Sequence, residues 1–303
     1  MTDTSPAVRE TTQSAGGKLR TVAAALLVAA AAMTSTAEAG PERPCPNVGK
    51  TVLLDGDVPR FSARFGHSRA LKIVGIGSSS TAGAGATSPA NSYPSQLEAE
   101  LARRFPSHDI DVVNAGANGQ EVPDMLARLD QDVLSHRPDL VIWQFGSNGL
   151  LRVRPLAELE ASARLGIDRL KRAGVEVIMM DLQHAPRIDG IAARDEVLQM
   201  MQRLSISTGT ALFHRYRLMK GWAAALGGGY AEMVAPDQLH MTDASYRCMA
   251  GALAATLQDA VERQQTAFGR TAGRFASAAH LPRATRKISI SAMNASVGFS
   301  QPR

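Results

Sequence analysis

Between Leu71 and Ala260 the chain alternates short, continuously apolar runs with longer stretches in which apolar residues recur at helical spacing. The runs Leu71 to Ile76, Ile110 to Asn114, Leu140 to Phe145 and Val175 to Met180 read as strands, with a weaker one at Ala211 to His214. Strands that carry helices on both faces lose the polar alternation in this way. The amphipathic stretches predict helices over Tyr93 to Phe105, Pro123 to Ser135, Leu156 to Ala173, Ala192 to Thr208 and Asp243 to Arg263. Such a rhythm predicts an α/β domain built on a parallel sheet of about five strands. Ligands of open parallel sheets bind outside the carboxyl ends of the strands, so the loops that follow the strands are where chemistry is sought. No internal repeat is visible.

The two ends are of a different kind. A basic segment with Arg9, Lys18 and Arg20 precedes an apolar run from Thr21 to Met33, and Ala37-Glu38-Ala39 stands before Gly40. This layout predicts a secretory signal peptide over residues 1–39, hence an exported chain, periplasmic or secreted. The apolar run is too short for a membrane-spanning helix, which takes about 20 residues, so no membrane span is expected after cleavage. Residues 40–70 form a lead-in and residues 71–264 the folded domain, while residues 265–303 carry several arginines and no acidic residue and read as a disordered tail. The formal charge of +5 arises from these ends. It therefore gives no reason to expect a nucleic-acid partner.

There are two cysteines, Cys45 near the expected mature start and Cys248 in the last helix, and export makes them candidates for a disulfide. No Cys/His cluster has zinc spacing and no phosphate or calcium loop pattern occurs, so neither a metal nor a cofactor is expected.

Three post-strand loops carry chemistry. The first strand runs into Gly77-Ser78-Ser79-Ser80-Thr81-Ala82-Gly83, which by itself reads equally as a nucleophile loop, an anion cradle or a plain turn. The second ends in Asn114-Ala115-Gly116, and the third leads to Ser147-Asn148-Gly149, whose amide is a suitable donor to a developing oxyanion. Downstream, Asp237-Gln238-Leu239-His240 spaces a carboxylate so that it can hold an imidazole in the tautomer that accepts a proton from serine. Asp181-Leu182-Gln183-His184 has the same spacing, and spacing alone does not choose between the two.

Taken together, these blocks resemble the SGNH hydrolases, also called GDSL esterases and lipases. The family's Gly-Asp-Ser-x-Thr-x-Gly block is matched by Gly77 to Gly83. The resemblance implies a flavodoxin-like three-layer α/β/α sandwich, Ser79 as nucleophile, and Asp237 and His240 as its activating pair. It also implies an oxyanion hole from Ser79, Gly116 and Asn148 but gives His184 no role, and the position of that residue after the fourth strand makes it a substrate-binding candidate. Ser78 stands where the family has aspartate, and Gly149 where aspartate commonly follows the asparagine. The Gly-Ser-Ser-Ser-Thr-Ala-Gly version looks like a subgroup of exported bacterial proteins. The implied activity is hydrolysis of a carboxylic ester, such as an O-acetyl group on carbohydrate or a lipid ester. A non-catalytic sugar- or anion-binding protein and an O-acyltransferase are the alternatives on the same fold. The aromatic content, 5%, gives no sign of a stacking platform for sugars, and Trp143 and Trp222 read as packing residues.

Overall fold

The computed structural model describes residues 44–278 apart from 50 and 231, with side chains as far as 266. In chain order the elements are β1 (Leu54–Asp55), α1 (Pro59–His67), β2 (Ala70–Gly77), α2 (Ser79–Ala82), α3 (Tyr93–Arg104), β3 (Asp109–Gly116), α4 (Val122–Ala127), α5 (Leu129–Asp132) and β4 (Leu140–Gln144). They continue with α6 (Ser147–Leu151), α7 (Leu156–Arg172), β5 (Glu176–Met180), α8 (Pro186–Asp189), α9 (Arg194–Thr208), β6 (Ala211–Phe213), α10 (Arg215–Ala225) and α11 (Asp243–Ala278).

The sheet order is β1-β6-β5-β4-β2-β3. Strands β2 to β6 run parallel, and β1 pairs antiparallel with β6, Leu54 opposite Phe213. Without β1 this is the doubly wound order of flavodoxin. The chain leaves β2 first toward β3 and then crosses to β4, so the switch point lies between the carboxyl ends of β2 and β4. Helices α1, α3 and α11 pack together on one face, and α4, α7 and α9 on the other. Both sheet faces are therefore covered, and β4 and β5 are buried throughout. Trp143 and Trp222 are buried packing residues, and Trp143 lies against Gly166 of α7.

The expected architecture stands, with differences at its margins. The sheet has six strands, because the two-residue β1 is too short to give a periodic signal. The lead-in holds β1 and α1, and α1 buries Phe61 and Phe65, an i,i+4 pair behind the helix-starting Pro59. The helix expected over Pro123 to Ser135 is broken into α4, α5 and a short 3-10 turn, Leu134–His136. Helix α10 escaped the periodicity argument because its buried face includes Arg215, a charged residue that reads as solvent-facing. Helix α11 continues to Ala278, past the boundary expected at 264. The proposed signal peptide and the tail beyond 278 lie outside the described residues. Among the described residues no helix is long and apolar enough to cross a membrane.

Candidate active site

Ser79 is the first residue of α2, one residue beyond the end of β2, and is partly buried. As the first N–H of a helix, its amide has no acceptor within that helix. The turn is held from below by Gln144, the last residue of β4, which is fully buried. Its Oε1 accepts the N–H of Ser78 at 3.0 Å, the Ser78 hydroxyl at 3.0 Å and the Thr81 hydroxyl at 3.3 Å. A neutral amide on the neighbouring strand thus organises the loop where the family block has aspartate. Gln144 is absent from the sequence motif because it belongs to a different strand.

The Asp237 loop brings the second half of the site. Asp237 Oδ1 accepts the backbone N–H groups of Leu239 and His240, each at 3.0 Å, and its Oδ2 engages His240 Nδ1. With Nδ1 turned to the carboxylate, Nε2 faces Ser79 and lies 2.8 Å from its Oγ. Burial raises the Asp237 carboxyl, but the His240 backbone N–H, the imidazole and the Leu239 N–H outweigh it, and the net shift is downward from 3.8. The carboxylate therefore stays ionised into more acidic solution than an ordinary aspartate.

Two loops have to meet for this contact. Gly85, beyond α2, presses on the His240 loop, and Asp243 at the start of α11 grips the same stretch. Its carboxylate accepts from Thr87 N at 2.9 Å, the Thr87 hydroxyl at 2.6 Å and Asn91 Nδ2 at 2.9 Å. The Tyr246 hydroxyl donates to Ala84 O at 2.7 Å.

Asn148 lies on α6 at the carboxyl end of β4, across the switch point from Ser79. One of its amide hydrogens goes to Gln120 O at 2.9 Å, and the amide carries a second. Gly116, expected as an oxyanion donor, ends β3. Its N–H donates to Asn114 Oδ1 at 3.0 Å, and a Cβ there would come within 2.1 Å of Ala82 N. Gly116 thus provides clearance for the backbone of α2. A cavity of about 230 Å³ adjoins the site, with Ser78, Phe145 and Asn148 in its lining and Glu121, Arg154 and Glu158 also contributing.

The second Asp-x-x-His match does not form a pair. Residues 181–185 leave β5 without regular structure, and Asp181 and His184 meet different partners. Asp181 Oδ1 accepts Tyr216 N at 2.8 Å, and its Oδ2 lies 3.4 Å from His214 Nδ1. His214 also lies 2.9 Å from Asp55 of β1; burial lowers its pKa, the two carboxylates raise it, and the net direction is up. His184 instead contacts Asp189 Oδ2 at 2.7 Å through Nδ1, with its ring against those of Tyr216 and Tyr230. Both tyrosine hydroxyls donate to Asp189, at 2.6 and 2.7 Å. Burial raises the Asp189 carboxyl, while bonds from His184, Tyr216 and Tyr230 bring it down to about 2.

Cys45 and Cys248 are joined by a disulfide, which ties the start of the described chain to α11. Among the described residues no group of three or more His, Cys, Asp or Glu side chains is arranged to hold a metal.

The fold recurs in solved esterase structures. A two-domain esterase active on acetylated mannans superposes with a TM-score of 0.58 at 20% identity, over 68% of this chain and 54% of that one. An acetylxylan esterase from Geobacillus stearothermophilus gives 0.52 at 22% identity, over 62% of this chain and 94% of that one. At these identities the likeness is one of fold. By sequence, the Non-GDSL lipase-like family matches residues 44–263, and the chain belongs to that family. An arylesterase from Vibrio mimicus is 33% identical over 95 residues, 31% of this chain and 46% of that relative. The match thus spans less than half of the arylesterase's length.

Proposed function

We propose that the chain is a serine carboxylic-ester hydrolase that works through an acyl-enzyme. The observation that carries this reading is the 2.8 Å contact between His240 Nε2 and Ser79 Oγ, with Nδ1 of the same ring turned to Asp237. His240 takes the proton as Ser79 Oγ adds to the ester carbonyl, and Asp237 stabilises the imidazolium. The tetrahedral oxyanion is held by the Ser79 N–H and the second amide hydrogen of Asn148. The imidazolium then protonates the departing alcohol, and water, activated by His240, cleaves the acyl-enzyme. Gly116 is left out of the donor set because its N–H is engaged by Asn114.

The cavity beside Asn148 is the proposed seat of one half of the ester. Esters of carbohydrate and of aryl alcohols are the substrate classes to try first, on the strength of the fold neighbours and the arylesterase relative. A binding protein would have no use for an oriented serine and imidazole, which favours catalysis over the sugar-binding alternative. Export fits a disulfide-bonded chain, since such bonds persist in oxidising compartments.

A hydrolysis panel from acetyl to long-chain nitrophenyl esters, together with acetylated xylan and mannan, tests this reading. Turnover that vanishes in Ser79→Ala supports it, and turnover that survives this substitution overturns it. Acyl transfer to added sugar in preference to water would move the chain to the O-acyltransferases.

A further inference from the structure

The buried polar side chains at the carboxyl edge of the sheet form a sequence of braces, each reaching from one strand's end to the loop after the next strand. Gln144, ending β4, holds the Ser78 turn after β2. Gln183, after β5, holds the turn after β4: its Oε1 accepts the Ser147 hydroxyl at 2.7 Å. Arg215, after β6, in turn holds Gln183: its Nη2 donates to the same Oε1 at 2.9 Å, while its Nε donates to Asp181 O at 3.0 Å. Arg215 is fully buried, and Gln183 and Ser147 are 1% and 3% exposed.

A buried guanidinium normally faces a carboxylate, because desolvating a charge is unfavourable unless an opposite charge compensates it. Here both of its bonds are to neutral carbonyl oxygens. Its Nη1 has no hydrogen-bond partner among the described residues. The nearby carboxylate of Asp181 is taken up by Tyr216 N and His214. Arg215 thus ties Gln183 to the backbone after β5 at two points, and the Ser147 that Gln183 holds directly precedes Asn148.

We propose that Gln183 and Arg215 are positioning residues for the Asn148 amide, acting through Ser147. Gln183 fixes the first turn of α6, and Arg215 fixes the rotamer of Gln183 so that Oε1 stays under the Ser147 hydroxyl. The amide of Asn148 is thereby held between Gln120 O and the place where the oxyanion forms. This inference rests on the ester-hydrolase reading, because it assigns the Asn148 amide a task in the transition state.

Steady-state kinetics with p-nitrophenyl acetate test it on the full chain. Gln183→Met should lower kcat roughly 10- to 100-fold, the scale of a misplaced catalytic group, with KM changed little. Gln183→Glu retains an acceptor for both Ser147 and Arg215 and should recover most of the rate. In an Asn148→Ala background Gln183→Met should cause little further loss, since the group it positions is gone. Should Gln183→Met fail to fold, Ser147→Ala removes only the hydroxyl and is read in the same cycle. An undiminished kcat, or an equal loss with and without Asn148, overturns the positioning role. Turnover that persists in Ser79→Ala overturns the hydrolase reading itself, and the positioning role with it.

Discussion

Gly85 lies against the Met241 carbonyl so closely that a Cβ on it would come within 2.6 Å of that oxygen and 2.9 Å of His240 Cβ. Its φ of +87° is also one that side chains rarely adopt. The contact sets how near the loop after α2 comes to the loop of the candidate base. Gly85→Ala should therefore push His240 away from Ser79. The expected cost is about 1 to 3 kcal/mol in stability and a loss of turnover larger than that of Gly228→Ala, where φ is also positive but the space is open. Urea unfolding and kcat/KM for the two variants check this.

The two Asp-x-x-His segments should behave differently on substitution. His240→Ala is expected to reduce kcat on the order of 10⁴-fold, the scale at which a triad member acts. His184→Ala should retain most of the turnover, because His184 contacts Asp189, Tyr216 and Tyr230 and no contact joins it to Ser79. Steady-state kinetics on one nitrophenyl ester compares them, and the reverse order would transfer the base to the other segment.

How legible this was in the sequence differs from part to part. Strands β2, β4 and β5 were readable as mostly apolar runs and β3 by its apolar Ile110, Val112 and Val113, while Ser79, Asp237, His240 and Asn148 stood out as candidates because each follows an element boundary in family order. Local spacing could not separate Asp237/His240 from Asp181/His184. What separates them is backbone shape: a turn closed by Asp237 Oδ1 on two N–H groups in one case, an exit from β5 without regular structure in the other. Gln144 and Arg215 were invisible as site supports, since their partners lie 66 and 32 residues away. The close approach of Gly116 to the backbone of α2 was hidden for the same reason.

Asp189 links stability to pH. Its carboxyl sits at about 2 against an ordinary 3.8, so the folded form binds the proton more weakly than the unfolded one. Its contribution is fully present above the unfolded value and is lost as pH falls toward about 2, and amounts to at most about 2 kcal/mol after solvent screening. Asp189→Asn should narrow the gap to the parent chain as acid is added. Urea midpoints of both chains at neutral pH and near pH 3 measure it; a gap independent of pH would contradict the linkage.

The Cys45–Cys248 bond closes a sequence separation of 203 residues. Paired Cys45→Ser and Cys248→Ser substitutions should cost roughly 2 to 4 kcal/mol in stability and leave kcat nearly unchanged, since neither sulfur belongs to the site. Thermal unfolding beside steady-state turnover separates these effects.

The central claim is that Ser79 is a nucleophile activated by His240. A fluorophosphonate probe reports this directly, with the adduct located by peptide mass spectrometry. The account predicts a single adduct on Ser79 that is absent in Ser79→Ala and slowed strongly in His240→Ala. An adduct on Ser78 or Ser80, labelling that persists in Ser79→Ala, or no labelling of the folded chain would contradict it.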